Sequence, residues 1–248
     1  MFQDIERSAC GCDYGGTSWT TREEADRICV LLGLIPGRRL LEVGSGSGWP
    51  GLYMAQQTGC DLAMVDLPLS ALRLAAKRNS EDGLEGHCSF VVADAGSIPF
   101  RDREFDAISH SDVLCCLDRK SDVLTDCGRV LDRDGAMVFT VISITPGLSA
   151  TDLKRAIEFG PPFVKSETDY STMLTGSGWR VRDREDLTSG FLSTARNYLK
   201  GLEARQDELV ALLGAAECDE DLSRMRAKVD AIENGLLRRE LYAAVPAG

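Results

Sequence analysis

Through the first 145 residues, apolar positions fall into short runs of about five or six separated by polar, glycine-rich stretches; beyond them the runs become helical stripes. The segment "TTREEADRICVLLGLIPG" opens with Thr20 or Thr21 as a helix cap and Glu23 and Glu24 in the first turn. Ala25, Ile28, Leu31 and Leu32 follow helical spacing, and Gly33 and Pro36-Gly37 end it. The pattern then predicts strands at 38–43, 61–66, 88–94, 105–110 and 136–143, with helices at 50–57, 68–83 and 121–130 between them. Such alternation calls for an α/β fold, with a mostly parallel sheet, helices on both faces and right-handed crossovers. Residues 1–20 show little periodicity.

After Pro146-Gly147 the pattern changes. Helices are predicted at 149–160 and 166–178, a sixth strand at 179–188, and long helices at 190–213 and 219–237 before a last strand, "LRRELYAAVP". Leu199, Leu202, Leu209, Leu212 and Leu213 mark one apolar stripe; Leu222, Met225, Val229, Ile232 and Leu236 mark the other. A helical pair inserted there is either a cover over the sheet's C-terminal edge or a packing surface for a second copy in a homodimer.

With 248 residues, 44% of them hydrophobic, the chain can bury one substantial core. A net charge of −11 with no basic run argues against DNA, RNA and anionic membrane surfaces as partners. No apolar stretch reaches the roughly 20 residues that span a bilayer, and the start "MFQDIERSACGC" lacks a signal-peptide layout, so a cytoplasmic protein is expected. The nine cysteines include no repeated C-x-x-C pair, so most are expected reduced and no metal site is expected.

"LEVGSGSGWPG", residues 41–51, satisfies two fingerprints. Gly46, Gly48 and Gly51 fit the dinucleotide pattern of nicotinamide and flavin oxidoreductases, whereas Glu42, Gly44, Gly46 and Gly48 fit the loop of methyl-transfer enzymes. Both predict a nucleoside, because Asp66 closes the second strand where a carboxylate accepts from both ribose hydroxyls. Glu42 separates them: an acid at the end of the first strand anchors the loop near a positively charged ligand and repels a pyrophosphate. Asp94, in "VVADAGSIPF", is placed to accept from an adenine amine.

Taken in order, "LEVGSGSG", "MVDLP", "VVADAGSIPF", "FDAISHSDVL" and "RVLDRDGAMVFTVI" resemble the successive motifs of class I S-adenosylmethionine-dependent methyltransferases, over roughly residues 20–145. Within that family the chain is similar to the small-molecule branch of ubiquinone-biosynthesis and phosphoethanolamine methyltransferases. The resemblance implies a Rossmann-like seven-stranded sheet with an antiparallel last strand. It implies one domain over 1–248: a cofactor-binding core at 20–145, a substrate-bordering segment at 146–178 and a helical insertion at 189–237. It further implies that Gly44, Ser45, Gly46 and Gly48 line the methionine and ribose of S-adenosyl-L-methionine and that Asp66 holds the ribose. Leu67 would pack on adenine, Asp94 and the Ala95 backbone would read its edge, Ser109 would face the methionine amine through its carbonyl, and Tyr14 to Thr20 would close over the whole.

Methyl transfer from a sulfonium needs alignment and exclusion of water, and a base only if the acceptor arrives protonated. His110, at the end of the fourth strand, is the candidate base, with a structural hydrogen bond as the alternative. Asp112 either orients an acceptor amine or hydroxyl or caps the following helix. Cys116 stands where phosphoethanolamine-type relatives carry histidine, which separates this chain from their phosphobase chemistry. Cys115-Cys116 is read as core rather than as a metalloid site; Trp49 is read as packing, His87 as a solvated turn residue, and Phe163 and Tyr170 as walls of an acceptor pocket. The expected function is methylation of a small molecule at oxygen or nitrogen. The alternatives are an NAD(P)- or FAD-dependent oxidoreductase, a homologue that binds the cofactor without catalysis, and a macromolecular methylator.

Overall fold

The computed structural model describes residues 1–12, 18–84 and 88–247. Three helices precede or follow the first strand: α1 (Phe2–Cys10), α2 (Arg22–Leu32) and, after β1 (Arg39–Val43), α3 (Gly51–Thr58). Then come β2 (Asp61–Asp66), α4 (Leu69–Glu81), β3 (Cys88–Val92), β4 (Phe105–Ser111), α5 (Lys120–Val130) and β5 (Leu131–Ile144). The remainder comprises α6 (Ala150–Phe159), α7 (Tyr170–Gly176), β6 (Trp179–Asp186), α8 (Thr188–Ala204), α9 (Gln206–Leu213), α10 (Ala215–Glu233) and β7 (Leu237–Pro246).

The seven strands form one sheet in the order β3-β2-β1-β4-β5-β7-β6. β1 to β5 pair in parallel and β7 runs antiparallel to both β5 and β6. This is the Rossmann-like seven-stranded sheet, with an antiparallel last strand, that the resemblance implies. Chain order reverses between β1 and β4, the point beyond whose strand ends open α/β sheets bind their ligands.

Because strand side chains alternate between faces, each face has its own core. On one, Leu40, Leu62, Met64, Ala107 and Val138 meet Ile28 and Leu32 of α2, Leu52 and Met54 of α3 and Leu72 of α4. On the other, Leu41, Val43, Val65, Ile108, Phe139 and Val141 share a core with Leu124, Phe191, Leu202, Leu222 and Ile232. Each such side chain contributes ~1.5–3 kcal/mol on burial. The stripe residues Leu202, Leu209, Leu222, Met225, Val229 and Ile232 are therefore interior positions of this chain. Helix α2 starts with a full capping box, Thr21 and Glu24 each serving the other's backbone amide.

Several boundaries differ from the sequence expectation. Residues 1–20 contain a helix, α1, whose inward face is only Ile5, Ala9 and Cys10 before Gly11 ends it in the left-handed region. It lies on α8 at Gly201, where a Cβ would come within 2.6 Å of Ile5 Cγ2. The 190–213 stretch divides at Arg205, β5 begins five residues earlier, and β3 stops at Val92, leaving Asp94 in the following loop. Cys10 and Cys12 are disulfide-bonded; the seven other cysteines are free. Among the described residues, no helix is long and apolar enough to cross a membrane.

Candidate active site

The glycine loop is tied to β2 by backbone. Gly44 N and Ser45 N donate to Val65 O at 2.8 and 3.2 Å, and Gly48 N donates to Ser45 O at 3.1 Å. Gly44 has φ +66°, and a Cβ there would sit 2.4 Å from Val113 Cγ2, so glycine lets the segment after β4 close on the loop. At Gly46, φ +52°, a Cβ would meet nothing within 4 Å: the tip of the loop faces open space. Asp66 accepts from Gly46 N through Oδ2 (2.6 Å) and from Leu67 N through Oδ1 (2.7 Å). Each carboxylate oxygen thus keeps accepting capacity for a further donor. Leu67 beside it is 57% exposed. Asp94 accepts from Gly96 N at 2.7 Å and from Arg119 Nη2 at 3.2 Å, and Ala95 is half-buried next to it.

Beneath the loop, Glu42 is buried, and its Oε2 has no hydrogen-bond partner. Burial pushes its carboxyl up to about 8, against the Gly51 amide, which pulls it down; nearby Asp66 adds to the rise. A Cβ on Gly51 would lie 1.9 Å from Glu42 Oε2, so Gly51 exists to admit this carboxyl, a role beyond helix packing. Ser109 sits opposite Glu42 in the β1–β4 register, and its hydroxyl is likewise buried without a partner. Each unsatisfied buried polar group costs ~1–3 kcal/mol, and these two lie side by side beneath the open loop, where a ligand's donors could reach them.

His110 and Asp112 are not brought together. His110 is fully buried, stacked on Phe139 at 4.5 Å, and neither ring nitrogen has a partner; burial pushes it down to about 3. Asp112, held at φ +57°, accepts from Arg239 Nε at 2.9 and 3.0 Å. Arg239 is fully buried; its Nη1 donates to Glu24 at 2.9 and 2.8 Å, and its Nη2 to Thr20 and Thr140 at 3.0 Å. Burial alone would pull Arg239 down, but Asp112 and Glu24 outweigh it and hold the guanidinium above its ordinary value. Four side chains, from α2, β5 and the segments before α2 and after β4, meet on this one guanidinium of β7.

Thr20 also accepts through its carbonyl from Trp49 Nε1 at 2.7 Å, which fixes the segment before α2 to the glycine loop. Trp49 is 4% exposed and packs on Tyr53. The preceding residue, Trp19, makes edge contacts with Phe191 and Tyr198, and Lys228 Nζ lies 5.5 Å from its ring. Glu6, Ala9, Trp19, Tyr198, Met225 and Lys228 are among the walls of a cavity of about 310 Å³. A second cavity, about 430 Å³, is lined by residues 164–170 with Arg238, Glu240 and Tyr242; Tyr170 is a buried wall of it, while Phe163 is largely exposed outside. Cys115 is core, but Cys116 is exposed, unlike the core pair expected. Tyr14 and His87 lie outside the described residues. The sequence reading missed Arg239 and Lys228, and it gave Thr20 as a cap candidate and closing residue rather than as a partner of Arg239; the adjacent Arg238 and Arg239 in an apolar strand were the signal for the first.

Residues 41–139 match the family model described as methyltransferase domain. The chain is 25% identical over 229 residues to phosphoethanolamine N-methyltransferase 1 of Zea mays, covering 92% of this chain and 44% of that protein. It thus spans less than half the length of this relative. It is 26% identical over 224 residues to 27-O-demethylrifamycin SV methyltransferase of Amycolatopsis mediterranei (strain S699), covering 86% and 82%. The fold matches the Haemonchus contortus phosphoethanolamine N-methyltransferase 2 structure in complex with S-adenosyl-L-methionine. The TM-score is 0.81 at 18% identity, over 99% of this chain and 56% of that one.

Proposed function

We propose that this chain, whose residues 41–139 carry a methyltransferase domain on a class I methyltransferase fold, transfers the methyl group of S-adenosyl-L-methionine to a small-molecule acceptor at oxygen or nitrogen. The observation that carries the reading is the pair of buried atoms without partners, Glu42 Oε2 and the Ser109 hydroxyl, beneath an open glycine loop, with Asp66 and exposed Leu67 at its rim. The residues fit the cofactor part by part. The backbone of Gly44, Ser45, Gly46 and Gly48 would surround the methionine and ribose, and Asp66 would take the ribose hydroxyls on its remaining lone pairs. Leu67 would cover the adenine, Asp94 and the Ala95 amide would meet its edge, and Glu42 with Ser109 would hold the amine.

The cofactor supplies a methyl group already activated on sulfur, so the chain's own residues have to align the acceptor and exclude water. A histidine pushed down to about 3 is neutral at neutral pH but has no route to an acceptor proton from inside a ring stack. We therefore assign His110 to packing. Asp112 we assign to holding Arg239, and through Val113 the glycine loop. The buried Glu42 carboxyl gains by ionising beside a cationic amine and has nothing to offer a pyrophosphate, which favours the methionine end of the cofactor over a dinucleotide. Helices α8 to α10 act as a cover, and the acidic net charge suits a cytoplasmic enzyme for small molecules rather than nucleic acid.

Calorimetry tests the reading. S-adenosylhomocysteine should bind with micromolar affinity or better, and Asp66→Ala should weaken it about tenfold or more while the fold is kept. Binding of NAD without binding of S-adenosylhomocysteine would overturn it.

A further inference from the structure

We propose that Cys115 and Cys116 form an oxidisable dithiol, at which a hydroperoxide closes a disulfide between neighbouring residues and so loosens the segment that holds the glycine loop. The site stands on the geometry of the two thiols. Only one of its readouts, cofactor affinity, rests on the methyl-transfer reading.

The two residues end a single 3₁₀ turn, Leu114–Cys116, just beyond β4. Both thiols turn onto one oxygen: Cys115 Sγ donates to Asp112 O at 3.1 Å, and Cys116 Sγ donates to the same atom at 3.4 Å. Two sulfurs on one acceptor are neighbours in space as well as in sequence. Their exposure differs. Cys115 is fully buried, whereas Cys116 faces solvent, the one exposed thiol of the seven that are free. Cys60, Cys127 and Cys218 are buried, and Cys29 and Cys88 are half-buried.

This difference divides the work of oxidation. The Cys115 S–H pulls the Cys116 thiol below its ordinary value, against burial and the Asp112 carboxylate, which push it up; Lys228 and Lys120 pull it further down. Lys120 is a buried ammonium whose Nζ donates to Leu117 O and Phe163 O at 2.8 Å, so its charge is held at the turn by carbonyls. Elsewhere burial pushes the thiols the other way, Cys29 and Cys127 up to about 12 and Cys88 up to about 11. An exposed thiol favoured as its anion is the one that an oxidant meets first, and a sulfur beside it resolves the product.

The steps balance with hydrogen peroxide as oxidant. The Cys116 thiolate attacks one peroxide oxygen, the O–O bond breaks, and Cys116 becomes a sulfenic acid as hydroxide leaves. That hydroxide takes the Cys115 proton, giving water. The Cys115 sulfur then attacks the Cys116 sulfur, the S–O bond breaks, and the second hydroxide takes up the proton that Cys116 had released. Two thiols are oxidised to one disulfide and the peroxide is reduced to two waters.

Closing that ring disturbs the turn. Adjacent Cα atoms lie ~3.8 Å apart across a trans peptide, less than the ~4.4–6.8 Å that disulfides span, so the bond is strained and readily reduced. Asp112 O loses both donors, and the Cys116 N bond to Val113 O, 2.8 Å, lies inside the segment that has to open. Val113 fills the space that a side chain on Gly44 would need, so its displacement frees the glycine loop.

Peroxide treatment followed by alkylation and mass spectrometry tests the site. Trypsin releases residues 104–119 as one peptide whose only cysteines are Cys115 and Cys116. In the wild type this peptide should lose two hydrogens and both alkylation sites before any other free cysteine reacts, and dithiothreitol should restore them. Amide exchange over residues 44–48 and 112–116 of the oxidised protein should quicken about tenfold, and S-adenosylhomocysteine should bind about tenfold more weakly. Cys116→Ser should abolish every one of these responses, with the Cys10–Cys12 disulfide present as in the wild type. Cys115→Ala should stop at a sulfenic acid that dimedone traps on Cys116. Both thiols still alkylated after treatment, another cysteine oxidised first, or a disulfide that leaves exchange at 44–48 unchanged would each overturn the inference. A reduced wild type that does not bind S-adenosylhomocysteine would strike the methyl-transfer reading, and peptide mass and amide exchange would still decide this one.

Discussion

Glu42 carries a proton whose fate can be counted. The free protein holds this carboxyl at about 8, against 4.5 for an ordinary glutamate, because it is buried. At pH 7 the native state therefore keeps roughly nine-tenths of a proton on Glu42 while the unfolded chain keeps almost none. The sign follows: the stabilisation is full in acid, below about 4.5, and is lost as pH rises through about 8. The gap of about 3.5 units corresponds to ~5 kcal/mol at about 1.36 kcal/mol per unit. Melting temperature of the free protein should fall from mildly acidic toward mildly alkaline pH, and Glu42→Gln should flatten this decline. A cationic amine drawn to the site favours the ionised carboxylate, so binding S-adenosylhomocysteine near pH 7 should release up to about 0.9 proton. Calorimetric titration in phosphate and in Tris, whose ionisation enthalpies differ widely, reads that number directly. No proton released by the wild type, or the same number released by Glu42→Gln, would refute the reasoning.

Two further substitutions test the parts around the site. Arg239→Met leaves Asp112 and Glu24 buried without their cation and should cost about 3–5 kcal/mol in urea unfolding. Adding Asp112→Asn should recover part of that loss; a cost under about 1 kcal/mol for the single variant would show that the network contributes little. His110→Phe keeps the ring stack on Phe139 and should leave turnover within a few-fold, because the imidazole nitrogens have no partners to lose. A variant that melts normally yet loses turnover a hundredfold would return His110 to the chemistry.

The alternating strands and helices were legible because each buried strand is a short apolar run closed by a glycine or acidic turn, and Glu42, Asp66 and the glycines sit at those closures. Face and partner were not legible. His110 and Ser109 are neighbours in one strand, and a single residue decides that Ser109 lies beside Glu42 while His110 stacks on Phe139. Asp112 finds its partner 127 residues away, a pairing that no local pattern records. Helix α1 escaped because nine residues with three inward side chains give too short a periodic signal, its form depending on the close approach that Gly201 permits.

Among the described residues, the cavity under the helical cover draws its walls from Glu6, Ala9, Cys10, Ser18 and Trp19 and from α8 and α10, and none of these lies within 41–139. The glycine loop and this cavity are thus written in separate stretches of the chain. A library confined to α1, α8 and α10 would reshape that cavity while leaving the glycine loop unaltered.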